Sequence, residues 1–113
     1  MTRAYVPATY AELARFHAAG EVPTTEAVTA SDTSEEAEYD ALLDAAVASA
    51  ERAAGSDDPR RVVLAVDVPT VGLAAPWRHV ASVHVDVEPG AEADDDLAWY
   101  ATQEVGDLLG LAD

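Results

Sequence analysis

The sequence predicts a mixed α/β fold, bordering on α+β, with the order β-α-β-α-β-β-α and a four-stranded mixed sheet packed with three helices. Three observations predict it. Helix-type apolar spacing follows Thr9 and recurs through 39–53, an apolar β-branched run fills 62–68, and residues 79–87 alternate.

Arg3-Ala4-Tyr5-Val6-Pro7 reads as a short strand that Pro7 stops, because proline has no N–H to give to a ladder. Thr9-Tyr10-Ala11-Glu12 matches a capping box, in which the Thr9 hydroxyl accepts from the third helical amide and Glu12 reaches back. Tyr10, Leu13, Ala14 and His17 then share one helix face with Phe16 beside them, and Gly20 supplies a left-handed cap.

Residues 26–30 suit a second short strand. Ser31-Asp32-Thr33-Ser34 offers N-caps, and Glu35 and Glu36 complement the positive end of the helix that follows. In that helix Tyr39, Leu42, Leu43, Ala46, Val47, Ala50 and Ala53 form one apolar stripe, expected to face the core. Gly55 and Ser56-Asp57-Asp58-Pro59 end it.

Residues 62–68 read as a strand with substantial burial, and 69–78 as a loop carrying Pro69, Gly72 and Pro76. In the strand 79–87, His79, Ala81, Val83, Val85 and Val87 face one way; Val80, Ser82, His84 and Asp86 face the other. After Pro89-Gly90 an acidic linker leads to Asp94-Asp95-Asp96, expected to cap a last helix through Leu97, Tyr100, Ala101 and Val105. The first two crossovers are long enough for parallel βαβ units, and the last two strands suit an antiparallel hairpin.

A chain of 113 residues predicts one domain, 1–113. It has no cysteine, which excludes disulfides, thiolate metal sites and a cysteine nucleophile. The opening Met1 to Pro7 lacks the pattern of a signal peptide, and no apolar run approaches the roughly 20 residues that span a bilayer. Together these predict a soluble, cytoplasmic protein. Six Arg and no Lys stand against 22 acidic residues, a formal charge of −16. Such a surface repels phosphate backbones and membranes of like charge, so neither nucleic acid nor membrane is expected as a partner. It steers cationic partners, although GC-rich coding or a salt-adapted host leaves the same mark.

Candidate chemistry is sparse. Asp67, His84 and Asp86 on the paired strands are weak catalytic candidates, since a carboxylate orienting an imidazole is the minimum for general-base work. The bland alternative is a polar strand face turned to water. His17, His79 and His84 have no shared metal-binding spacing, and counting from Asp94 puts Trp99 where an EF-hand loop needs glycine. No metal site and no cofactor are therefore expected. Trp99 and Gln103, read as i, i+4 partners on the last helix, and Trp77 beside Pro76 are the interface candidates.

Arg3-Ala4-Tyr5-Val6-Pro7-Ala8-Thr9 and Trp99-Tyr100-Ala101-Thr102-Gln103-Glu104, with the Tyr-bearing helix and the strand ending Asp67-Val68-Pro69 between them, resemble a family of short, acidic, uncharacterised actinobacterial proteins. The resemblance implies a GC-rich bacterial host. It carries no assigned chemistry, so it adds no site residue.

The leading functional expectation is a non-enzymatic protein-binding or regulatory module whose acidic surface engages a basic protein or a cationic ligand; a homodimer through Trp99 is the other partner expected. The alternative is a small metal-dependent or hydrolytic enzyme using Asp67, His84 and Asp86. A DNA mimic, resting on charge alone, is the second alternative.

Overall fold

In the computed structural model, which describes residues 1–92 and 94–110, the apolar run 62–68 lies at the centre of the main sheet. Its burial on both faces explains why it lacks polar alternation. The elements are β1 (Thr2–Ala8), α1 (Tyr10–Ala19), β2 (Glu21–Val22), β3 (Val28–Thr29), α2 (Glu35–Ala54), β4 (Val62–Val68), β5 (Ala75–Pro76), β6 (Val80–Val85), β7 (Ala98–Ala101) and α3 (Val105–Leu108). Short 3₁₀ turns occupy Trp77–His79 and Thr102–Glu104. Residue 93 of the expected acidic linker and 111–113 of the expected domain lie outside the described residues.

The class is the expected mixture of α and β, with three helices among the described residues. The main sheet has five strands in the order β3-β1-β4-β6-β7, and β2 pairs with β5 in a second, two-stranded sheet. Every neighbouring pair is antiparallel, where a mixed sheet of four was expected. The difference arises at the first crossover. Gly20, at φ 74°, ends α1 and turns the chain into β2, outside the main sheet, before β3 returns along the edge of β1. The second crossover does join strands that point the same way, but β1 lies between β3 and β4.

The capping box forms as its residues dictate: the Glu12 amide donates to Thr9 Oγ1 at 3.1 Å, and the Thr9 amide donates to Glu12 Oε1 at 3.1 Å. Tyr10 and Leu13 of α1 then pack with Val6, Leu64, Val66, Val83 and Val85 on one face of the sheet. On the other face Tyr5, Val63 and Ala65 meet Ala41, Ala45 and Ala46 of α2. Ser49 closes this layer, donating to the Ala8 carbonyl and accepting from the Val62 amide, each at 2.7 Å.

Two expectations about faces change. α2 buries Ala37, Ala41, Ala45, Ala46, Ser49 and Ala53, whereas Tyr39, Leu43 and Val47 of the expected core stripe are 51%, 43% and 57% exposed. Small side chains let a helix approach a sheet closely, so the alanine face prevails over the larger one beside it. In β6 a register shift opposite Ala65/Val66 moves Val80 onto the α1 side, away from Ser82 and His84.

The expected last helix is replaced over most of its length. Residues 98–101 form β7 against β6, with Trp99 opposite His84, and only Val105–Leu108 are α-helical. Leu97, Tyr100, Ala101 and Val105 have helical spacing. The adjacent aromatics Trp99 and Tyr100 nonetheless favour a strand once β6 offers an edge.

Candidate functional site

α2 packs over β1, β3 and β4 and leaves the same sheet face open over β6 and β7. A groove results. Ala65, Ser82 and His84 line it from the sheet, Glu35, Glu38, Tyr39 and Leu42 from α2 and its start, and Trp99 from β7. Its volume is about 560 Å³, and Arg3 and Tyr5 of β1 with Thr33 complete the lining. A second stretch of about 340 Å³ shares Tyr39 and Leu42 and continues along α2 past Leu43 and Ala46, facing Arg61, Leu97 and Asp94 to Asp96. The two stretches adjoin at Tyr39 and Leu42 and are taken together as the channel beside α2.

Several polar groups of the first stretch are paired. Arg3 donates through Nε to Asp67 Oδ1 at 2.6 Å and through Nη2 to Oδ2 at 3.2 Å, and this pairing holds Arg3 more firmly charged. The Tyr5 hydroxyl donates to Glu38 Oε2 at 2.7 Å. Burial, then the neighbouring Glu38 carboxylate, push the Tyr5 phenol up to about 12, so it stays a donor. His84 Nε2 lies 3.0 Å from Ser82 Oγ. Burial, with a smaller push from the Arg3 charge, lowers the His84 pKa below its ordinary value, so the ring is neutral at pH 7.

A neutral imidazole beside a hydroxyl supplies both members of a nucleophile–base pair, but acyl transfer also needs donors for the developing oxyanion. Ser82 sits in the middle of a sheet, paired with Ala65 on one side and Ala101 on the other, so its backbone is committed to ladders and offers no oxyanion pocket.

The three weak catalytic candidates do not converge. Asp67 is held by Arg3. His84 faces the groove, opposite Val63 and Trp99. Asp86 is 7% exposed and locked to Arg61, whose Nε and Nη2 donate to its two oxygens at 2.8 Å while the Arg61 amide donates at 2.9 Å. Burial alone raises the Asp86 pKa, but the side-chain and backbone hydrogen bonds from Arg61 outweigh it and hold the carboxyl below its ordinary value. This is a structural pair. Among the described residues no three His, Asp or Glu side chains are placed to hold a metal ion.

Of the interface candidates, Trp99 stands in the groove wall, 61% exposed. Gln103 is exposed in the 3₁₀ turn after β7, so the expected i, i+4 partnership with Trp99 does not form. Trp77 is half-buried against the α1-side core, with its ring edge-on to His17 at 5.2 Å. Trp77 and Trp99 therefore belong to opposite faces of the sheet.

Sequence reasoning missed Tyr39, Leu43 and Val47 as surface groups, and Leu42 and Leu97 as groove walls. A signal was present: Ala37, Ala41, Ala45, Ser49 and Ala53 make a second, smaller stripe at i, i+4 spacing on the same helix. Two stripes on one helix leave one without a partner in the fold.

Residues 2–94 match a family of unknown function, DUF6912. No curated protein and no solved structure matches the chain.

Proposed function

The chain belongs to that family, and we propose that it is a non-enzymatic binding or regulatory module whose acidic surface engages a basic protein. One observation carries this reading. The channel beside α2 exposes Trp99, Tyr39 and Leu43 together and carries acidic side chains, Glu35 near one end and Asp94 to Asp96 along the other stretch, while its two arginines, Arg3 and Arg61, are paired with Asp67 and Asp86. Exposed large apolar groups gathered in a concave site mark interaction surfaces, and aromatic residues at their centre supply most of the affinity. The formal charge of −16 adds long-range attraction for a cationic partner. The carboxylates that could have served catalysis, Asp67 and Asp86, are already committed to arginines.

Capture from a native lysate tests it, with the wild-type protein and Trp99→Ala on parallel supports. Trp99 is exposed, so its truncation leaves the core intact. The expected result is a basic protein retained by the wild type, released by about 0.5 M salt, where screening is nearly complete, and retained poorly by the variant. Retention indifferent to both salt and Trp99, or none, contradicts the reading.

A further inference from the structure

α2 spends its small side chains on the sheet and turns Tyr39, Leu43 and Val47 outward. Tyr39, Leu43 and Val47 recur at i, i+4, so they form one row along the helix. Towards the sheet edge this row passes through Leu42 and Ala46 into the channel, whose opposite wall carries Leu97. Carboxylates border the apolar strip on both sides. Asp40, Asp44 and Glu51 are exposed along the outer flank of α2, and Asp94, Asp95 and Asp96 are exposed on the opposite wall.

An apolar strip between two acidic rims selects its occupant. A second copy of this chain would set like charges against each other, rim to rim. An extended segment would pair at the edge of β7 rather than lie over a sheet face. The open face over β6 and β7, alongside a 20-residue helix, is where a second helix packs on a sheet. We infer that this channel receives a basic amphipathic helix from a partner protein. Its apolar stripe meets Leu42, Leu43 and Leu97, and its Lys and Arg side chains reach the two acidic rims. The inference rests on the binding role proposed above and names the form of the partner.

The probe is a synthetic peptide of about 18 residues, some 27 Å as a helix, with Leu at i, i+3, i+4 and i+7 and Arg on the flanks. Its control is an isomer of identical composition in scrambled order. Both are titrated calorimetrically into the full chain, and peptide helicity is followed by circular dichroism. The patterned peptide is expected to bind at least about tenfold more tightly than the isomer and to gain helix on binding. Tyr39→Ser with Leu43→Ser, both exposed and both lining the channel, is expected to weaken it about tenfold, the usual effect of truncating central interface residues. Equal binding of the two peptides, still dependent on salt and Trp99, overturns the helix inference and leaves the binding role standing. Binding of neither peptide overturns the inference too, and lysate capture then decides the role separately. Self-association that the double variant abolishes also overturns it, because the row would then be a contact between copies.

Discussion

The Arg61–Asp86 pair shows how a single residue's surroundings settle its role. Asp86 reads from the sequence as a strand carboxylate near a histidine, but it lies one residue past the end of β6. Its partner was not legible, because Arg61 lies 25 positions away and meets it only where the Asp86 amide donates to the Arg61 carbonyl. Removing one member of a buried pair leaves the other uncompensated, so Asp86→Asn is expected to cost about 3–5 kcal/mol at pH 7. The folded-state pKa of Asp86 is depressed, so its contribution is present above the unfolded pKa of about 4 and is lost as pH falls through the folded value. Denaturant melts at pH 7 and pH 3 check both points. The stability gap between wild type and variant is expected to shrink at pH 3; an equal gap at both would contradict the assignment. Tyr5 and His84 show the same dependence on context, since their places in the folded sheet fix them as a neutral donor and a neutral ring.

At the scale of elements, local chemistry was most legible where it is self-contained. The capping box at Thr9, the glycine turn at Gly20 and the strand 62–68 formed where their residues called for them. Elements that depend on a neighbour were less so. The segment 98–101 has no strong preference in isolation, and pairing with β6 makes it a strand. Likewise α2 offers two stripes, and only the sheet beneath selects the alanine one. Ser49 sits where that selection matters, joining α2 to the ends of β1 and β4 through two buried hydrogen bonds. Ser49→Ala strands the Val62 amide and the Ala8 carbonyl and is expected to cost about 1–3 kcal/mol. Thermal or denaturant unfolding measures it; a loss well under that range would mean that α2 is held by apolar contact alone.

For the whole molecule, composition was readable without a structure and the candidate site was not. The charge of −16 was plain, but only the fold brings Glu35 and Glu38 of one stretch beside α2 near Asp94 to Asp96 of the other. Trp99 was singled out on the wrong secondary structure, and Tyr39 and Leu43 were assigned to the core. Their meeting in one channel depends on an antiparallel edge strand, β7, set opposite α2. The most direct test of a partner site beside α2 is a map of backbone amide NMR shifts on adding the patterned basic peptide. Shifts concentrated at Tyr39, Leu42, Leu43, Leu97 and Trp99, with Trp77 and His17 on the far face unmoved, are the expected result. Shifts spread evenly over the acidic surface, or gathered on the α1 side, would contradict it.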